Sequence, residues 1–234
     1  YSKRYIDEEA GKHLWDLQKN KRGKGVKKPY NITKGKYALK DILEGKIVGV
    51  ARGRAEHGPR ALGNRSILCN PSIADMKDVL NEKVKHREWY RPFAPVVRLE
   101  DVSKYFEWEG ESRWMSFCPA VREEWREKLS AITHVDGTAR VQTVTREQNE
   151  WLYDLLTEFE KQNGVGVLLN TSFNLDGRPI LSTIKDAFKI LQDTQMDCLI
   201  LDQNFQVNLE MFLVFIKRCC FSPFETNFYQ QQIL

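Results

Sequence analysis

Apolar residues recur along this chain with two periodicities that alternate. Helical spacing is found in four segments: 37–43, 74–85, 148–161 and 185–192. Short apolar runs typical of buried strands occupy five more: 47–51, 93–99, 141–145, 165–169 and 198–201. Helices and strands that alternate in this way are typical of α/β and α+β domains. We therefore predict one sheet domain of this class, in which the pattern leaves the order of the strands open.

The ends of the chain differ in character from this alternating region. Lysine, glycine and asparagine dominate residues 19–36, a composition that cannot bury a core face and is typical of a loop or linker. The chain begins without methionine in what looks like the middle of an amphipathic segment. We predict an extension or the end of a preceding domain at 1–36, a domain at 37–209, and a tail of open role at 210–234.

The overall composition narrows the class of protein. With 234 residues and 41% hydrophobic content, the chain can bury one good core. Lysine and arginine number 36 against 32 acids, an excess too small to indicate a nucleic-acid partner. The five cysteines are odd in number and form no CxxC pair, which indicates a reducing compartment without disulfides or zinc. The apolar run 211–216 is too short for a membrane span, so we predict a cytoplasmic protein.

The richest stretch for chemistry, GRAEHGPRALGNRS at 53–66, directly follows the first apolar run. Its glycines let backbone amides approach a ligand, Pro59 restrains the chain before Arg60, and guanidinium groups match phosphate oxygens. The spacing of Gly53 and Gly58 approaches that of a P-loop, but Pro59 and Arg60 replace its lysine and hydroxyl residue. We predict an anion-binding loop outside the P-loop class, with a solvated surface loop as the alternative.

A second stretch, 85–95, places cations among aromatic residues at the end of a predicted helix. Arg91 precedes Pro92, which favours extended backbone and directs the arginine side chain away from the helix surface. The alternative is equally good, because Lys85 and Arg87 would also complement the dipole at a helix C-terminus.

A third stretch, 131–144, contains a turn at Asp136 followed by a predicted strand. Arg140 and Gln142 are two residues apart and share one face of that strand. An inward-facing arginine requires a partner. His134 and Asp136 fit a base and its orienting carboxylate, although such a pair is more often structural.

The fourth stretch, 168–180, is a polar cluster at the end of a buried strand. Asn170, Ser172 and Asn174 offer neutral hydrogen-bonding groups there. Ligands of α/β sheets gather outside the carboxyl ends of strands. A turn rich in Asn and Ser is the alternative interpretation.

Together the four stretches resemble the C-terminal part of the carbamoyltransferase family that includes nodulation-factor and antibiotic O-carbamoyltransferases. The resemblance covers roughly 37–208 and rests on four long motifs in the same order. They are GRAEHGPRALGNRSIL, VKHREWYRPFAPVV, ITHVDGTARVQTV and LLNTSFNLDGRPI. It implies a YrdC-like fold, a twisted mixed sheet flanked by helices. His57 departs from the family pattern, because a large aromatic residue usually precedes GPRALG.

The resemblance also implies an activity. In this family the C-terminal part binds ATP and carbamoyl phosphate and forms carbamoyladenylate, with release of pyrophosphate and phosphate. A separate N-terminal, metal-binding domain of the actin-like ATPase fold then transfers the carbamoyl group to an acceptor hydroxyl. The expected partner of this chain is therefore such a domain in the same polypeptide, and the acceptor stays open.

Residue by residue, the resemblance implies two groups of ligands. Arg60, Arg91 and Arg140 are expected to hold carbamoyl phosphate and the nucleotide phosphates and to act in catalysis. Lys85 and Ser172, with Arg91 and with Asn170 beside them, are expected to contact the nucleotide. Mg²⁺ would accompany the triphosphate. No metal-ligating residues are predicted in the chain itself.

The sequence motifs are also compatible with two other functions. A non-catalytic module could use the same arginines to hold a nucleotide or RNA. A threonylcarbamoyl-adenylate synthase is the other, because Lys85-His86-Arg87 and Ser172-Phe173-Asn174 resemble the K-x-R and S-x-N signatures of that YrdC-like family. The longer motifs fit the O-carbamoyltransferases better.

Overall fold

The alternating apolar segments assemble into one seven-stranded mixed sheet in the computed structural model, which describes residues 36–175, 177–202 and 205–208. All of these residues belong to the unit Lys34–Leu234. The predicted tail at 210–234 and all but the last residue of the predicted extension at 1–36 lie outside the described residues. Those domain boundaries therefore stay predictions.

The strand order in the sheet is β4-β3-β5-β2-β1-β6-β7. Strands β1 and β6 are parallel, as are β3 and β4, and the other neighbours are antiparallel. The strands are β1 Val48–Ala51, β2 Arg65–Cys69, β3 Ala94–Arg98, β4 Gln142–Val144, β5 Val167–Ser172, β6 Cys198–Asp202 and β7 Phe205–Asn208. The prediction of a mixed sheet flanked by helices is confirmed. All five predicted strands are present, whereas β2 and β7 were not predicted.

Within the described residues, six α-helices flank the sheet. They are α1 Lys36–Leu43, α2 Met76–Leu80, α3 Val102–Tyr105, α4 Glu123–Arg126, α5 Glu150–Asn163 and α6 Ile184–Asp193. Helix α5 begins where Asn149 accepts the N–H of Leu152 and ends at Gly164, whose φ is 75°. Helix α6 begins with a capping box between Thr183 and Asp186. None of the helices in the described ranges is long and apolar enough to cross a membrane.

The predicted helix at 74–85 requires a correction. Only 76–80 are α-helical, and the chain continues as a π-helical turn, Asn81–Lys85. The turn closes with the N–H of His86 donating to the carbonyl of Asn81 at 2.6 Å, and His86 has a left-handed φ of 48°. The wider turn shifts Lys85 from the position that a regular α-helix would give it. Such π turns are frequent at functional sites.

Both faces of the central strands are buried. On one face Val50, Leu68 and Leu168 pack with helices α1 and α5. On the other face Ile67 and Leu169, among others, pack with helices α2 and α6. Strands covered on both sides show continuous apolar runs rather than alternation, which is why β1 and β5 were recognisable as buried strands.

The strand directions bring the four motifs to one edge of the sheet, called here the site edge. Pairing of Ala51 with Arg65 places the end of β1 beside the start of β2. Pairing of Asn170 with Ala94 places the end of β5 beside the start of β3, and β4 starts next to β3 on the same side. Each motif follows or precedes one of these strand ends. Four stretches that are far apart in sequence thus become neighbours.

Candidate functional site

The first motif forms a loop of residues 52–64, called here the arginine loop, that joins β1 to β2 at the site edge. One hydrogen bond joins the two ends of this loop: the N–H of Arg52 donates to the carbonyl of Asn64 at 3.0 Å. The hydroxyl of Ser66 accepts the N–H of Gly63 at 2.9 Å. The carboxylate of Glu56 accepts the N–H groups of Leu62 at 2.9 Å and Asn64 at 2.7 Å. Side chains therefore hold the backbone immediately after Arg60.

One of the three arginines in this motif holds the loop itself. Arg65 is only 4% exposed and donates to the carbonyls of Arg52 at 2.6 Å, Asn64 at 2.8 Å and Gly53 at 3.3 Å. Burial lowers the pKa of Arg65, while the charge of Glu56 raises it. Because its guanidinium is directed at main-chain oxygens, Arg65 stabilises the loop. The interpretation of all three arginines as anion ligands therefore does not extend to Arg65.

Arg60 and Arg140 are close enough to interact electrostatically although 80 positions separate them, and both are half-buried. Burial lowers the pKa of Arg140, the positive charge of Arg60 lowers it further, and Cys118 raises it. The Nε atom of Arg140 is buried and has no hydrogen-bond partner among the described residues. Two adjacent cations repel one another, and an anion between them would relieve that repulsion. The pair is therefore suited to bind phosphate or carboxylate.

A buried pair of amides supports the loop beside Arg60. The Nδ2 atom of Asn170 donates to the carbonyl of Ala61 at 3.1 Å and to Oε1 of Gln142 at 2.6 Å. The Nε2 atom of Gln142 donates to the same carbonyl at 3.3 Å. The Oδ1 atom of Asn170 has no partner among the described residues. Asn170 and Gln142 thus join β5 and β4 to the arginine loop.

Lys85 lies at the end of the π turn and is only 4% exposed. Its ammonium donates to the carbonyl of Ser172, and to Oδ1 and the carbonyl of Asn174 at 2.8 and 3.2 Å. The hydroxyl of Ser172 donates to the same Oδ1 at 2.8 Å. These three acceptors are neutral oxygens, and they orient the ammonium. The second and fourth motifs meet at this cluster.

Arg91, the third predicted catalytic arginine, lies before β3 at the same edge and is exposed. Its Nε atom forms an ion pair with Oε2 of Glu88 at 2.7 Å. Within the described residues no contact joins Arg91 to Arg60 or Arg140. An exposed ion pair contributes at most about 1 kcal/mol, so an incoming anion could compete with Glu88 for this guanidinium at small cost.

His134 and Asp136 meet through Thr138 rather than directly. The Nδ1 atom of His134 lies 2.9 Å from the Thr138 hydroxyl. Asp136 Oδ1 accepts the N–H of Thr138 at 3.0 Å and its hydroxyl at 2.7 Å. These contacts stabilise the turn before Arg140 and favour the structural interpretation of the pair.

A cavity of about 220 Å³ opens next to the Lys85 cluster, between the residues after β5 and helix α6. Its wall includes Asn174, apolar side chains such as Leu175 and Ile180, and charged ones such as Arg178 and Lys189. The mixture suits a ligand that has both apolar and polar groups. No group of three His, Cys, Asp or Glu side chains in the part of the chain that the structure describes is placed to hold a metal ion.

The sequence did not single out Glu56 as a determinant of the site, it named Gln142 only as a neighbour of Arg140, and it named Asn174 only as one of three hydrogen-bonding groups after β5. Each acts through a partner far along the chain or through the main chain. One feature of the sequence does indicate a role for Glu56 in the site: it is the only acidic residue within a loop rich in arginine.

Two glycines of the arginine loop provide a test of its packing. Gly58 and Gly63 both have left-handed φ, of 98° and 102°. A Cβ atom at Gly63 would meet Asn149 Nδ2 at 2.6 Å and Leu152 Cδ2 at 2.8 Å, whereas Gly58 has open space around it. We expect Gly58→Ala to cost about 1–2 kcal/mol of unfolding free energy, and Gly63→Ala roughly 1–3 kcal/mol more.

Urea denaturation of the two variants measures this difference. Because the backbone strain is common to both substitutions, Gly58→Ala serves as the matched control for crowding against helix α5. Equal losses for the two variants would contradict the packing of the loop on Asn149 and Leu152.

Comparisons with known proteins agree on one family. The family model described as "Carbamoyltransferase C-terminus" matches residues 39–207. Nodulation protein NolNO of Sinorhizobium fredii is 48% identical over 162 residues, which are 68% of this chain and 24% of that protein. The 3'-hydroxymethylcephem-O-carbamoyltransferase of Amycolatopsis lactamdurans is 48% identical over 145 residues, 62% of this chain and 27% of that enzyme.

Among solved structures, full-length HypF, crystallised in a phosphate- and nucleotide-bound form, superposes with a TM-score of 0.50. The match has 21% identity and covers 76% of this chain and 26% of that chain, so it bears on the fold alone. It confirms the predicted YrdC-like fold. The chain spans about a quarter of the length of these relatives.

Proposed function

Since the chain belongs to the carbamoyltransferase C-terminus family, we propose that it is the part of an ATP-dependent O-carbamoyltransferase that binds ATP and carbamoyl phosphate and forms carbamoyladenylate. The observation that carries the proposal is the meeting of four motifs at the site edge. There the half-buried Arg60, on a loop braced by side chains, interacts with the half-buried Arg140, which lies just before β4. The chain's short coverage of its relatives fits a partner domain, of the metal-binding ATPase fold, in the same polypeptide.

In this proposal some of the positively charged side chains bind carbamoyl phosphate and others bind ATP. Arg60 and Arg140 bind the phosphate group of carbamoyl phosphate, because their mutual repulsion and the unpartnered Nε of Arg140 favour an anion. Lys85, oriented by Ser172 and Asn174, contacts the nucleotide phosphates, and Asn170 supports the loop between these groups. Arg91 exchanges Glu88 for a phosphate oxygen when the substrates are bound. Each charge-assisted contact contributes about 1.5–3 kcal/mol and offsets the repulsion between the two polyanions.

The proposed reaction balances without a protein nucleophile. Water cleaves carbamoyl phosphate to carbamate and phosphate. A carbamate oxygen then attacks the α-phosphorus of ATP, the bond to the bridging oxygen breaks, and pyrophosphate leaves with that electron pair. The residues of this chain position the reactants and stabilise the developing charge. Mg²⁺ would be carried by the triphosphate oxygens and would share in neutralising them.

The cavity beside Asn174 is the proposed position of the nucleoside. It adjoins the Lys85 cluster, so a nucleotide whose phosphates contact Lys85 has its base within reach of this space. Leu175 and Ile180 would pack against the faces of the base. Polar groups along the rim would contact the sugar and the base edges.

Pyrophosphate release tests this function directly. The chain is incubated with ATP, Mg²⁺ and carbamoyl phosphate, and pyrophosphate is measured by a coupled assay, with carbamoyl phosphate omitted as the control. We expect release that depends on carbamoyl phosphate. ATP binding without release, or RNA binding that weakens steeply with salt, would instead support a non-catalytic module. Release that requires threonine and bicarbonate in place of carbamoyl phosphate would support a threonylcarbamoyl-adenylate synthase.

A further inference from the structure

Glu56 is the only acidic residue in the arginine loop, and its position is at first sight unfavourable. A carboxylate close to an anion site repels the ligand, and this one is also half-buried. Burial raises the pKa of Glu56, whereas the N–H groups of Leu62 and Asn64 lower it. A carboxyl group in this position therefore needs a role that offsets its unfavourable effect on an anion.

The contacts of Glu56 indicate that role. Each carboxylate oxygen accepts one backbone N–H, Oε2 from Leu62 at 2.9 Å and Oε1 from Asn64 at 2.7 Å. The first bond spans six positions and closes a ring of backbone that contains Pro59 and Arg60. The carboxylate also interacts with the charge of Arg65, which holds the two ends of the loop.

Besides this ring, the side-chain contacts described next to Arg60 lie after it, where the carbonyl of Ala61 accepts from Asn170 and Gln142 and that of Leu62 accepts from Asn149. Gly53, Gly58 and Gly63 all occupy left-handed backbone conformations, and glycine loses the most conformational freedom when it is ordered. A loop that samples many conformations presents Arg60 beside Arg140 for only part of the time. The apparent affinity for an anion falls in proportion to that fraction.

We propose that Glu56 is a positioning residue, which holds Arg60 beside Arg140 through the backbone of the arginine loop and thereby sets the affinity of the site for phosphate groups. It does not contact the anion. The inference rests on the proposed function, because it assumes that the two arginines bind a phosphate group.

Binding of inorganic pyrophosphate, measured by isothermal titration calorimetry, tests this role without requiring turnover. In Glu56→Gln an amide NH₂ faces one of the two backbone N–H groups, so one hydrogen bond is lost and a donor is left unpaired. We expect the Kd to rise about tenfold, which corresponds to about 1.4 kcal/mol. Glu56→Asp keeps the charge but is one methylene shorter, and we expect an intermediate Kd, about threefold above that of the unchanged chain.

Two further measurements separate positioning from general stability. Hydrogen exchange of the Leu62 and Asn64 amides should become faster in Glu56→Gln, while the amides of β5 stay protected. Glu158→Gln is the matched control, because Glu158 is exposed on helix α5 and pairs only with Lys161 in the described structure. The control should bind pyrophosphate like the unchanged chain.

The outcomes are distinct. An unchanged Kd in Glu56→Gln, with faster exchange or a lower melting temperature, would overturn the inference and leave the proposed function intact. A chain that does not bind pyrophosphate at all, with Glu56 in place, would overturn the proposed function and this inference with it.

Discussion

Replacement of Arg60 by alanine is expected to lower carbamoyl-phosphate-dependent pyrophosphate release about 100- to 1000-fold. This is the usual effect of removing one preorganised group that stabilises developing charge. Arg60 is half-buried, lies next to Arg140, and is carried on a loop whose backbone is held by Glu56 and by Asn170. The structure thus provides the preorganisation on which such an effect depends.

Initial rates at varied carbamoyl phosphate and ATP concentrations measure this loss. If Arg60 acts mainly on carbamoyl phosphate, the KM for that substrate should rise more than the KM for ATP. Arg146→Ala is the control, because Arg146 is an exposed arginine that follows the end of β4 and pairs with Glu150 at 3.4 Å and with Asp154, both on helix α5. A rate in Arg60→Ala within a few-fold of the control would contradict the proposed role.

Replacement of Lys85 by methionine is expected to weaken ATP binding about 100-fold and to destabilise the fold by roughly 3 kcal/mol. The ammonium is buried and joins the π turn to the residues after β5 through Ser172 and Asn174. Methionine has similar length but no donor, so the acceptor oxygens in this cluster lose a charge-assisted partner worth about 1.5–3 kcal/mol each. The nucleotide loses a positive charge in the same place.

Calorimetry with ATP and urea denaturation measure the two effects separately. Lys83→Met is the matched control, because Lys83 belongs to the same π turn and its side chain is half-exposed. We expect the control to change each quantity little. If Lys85→Met were destabilised but bound ATP as tightly as the control, Lys85 would be a purely structural lysine.

Much of the fold was predictable from the sequence because its signals are local. Helix α5 follows from the spacing of Trp151, Leu152 and Leu155 on one face. Five strands follow from apolar runs that are buried on both faces. The π turn could not be predicted, since its i→i+5 bonds leave the apolar spacing of 74–85 close to that of a regular helix.

Strand β2 shows why other elements escaped prediction. It begins with Arg65 and Ser66, polar residues that directly follow a glycine-rich loop, so the sequence indicates a continuation of that loop. Both residues are nevertheless buried, because Arg65 donates to main-chain carbonyls and Ser66 accepts the N–H of Gly63. Partners from elsewhere in the chain make polar residues suitable for the interior, and a local pattern contains no information on such partners.

The sequence by itself determined the class of fold, the four motifs and the family resemblance, since these depend on residue type and short-range spacing. Only the tertiary structure decided the order of the strands, and through it that the four motifs share one edge. It also showed that arginines in similar sequence motifs have different contacts. Arg65 supports the loop, Arg60 lies beside Arg140, and Arg91 is paired with Glu88. The physical reason is that strand pairing and the burial of charge depend on groups far apart in the sequence, as in the pairing of Val48 with Cys198, and no local pattern contains that information.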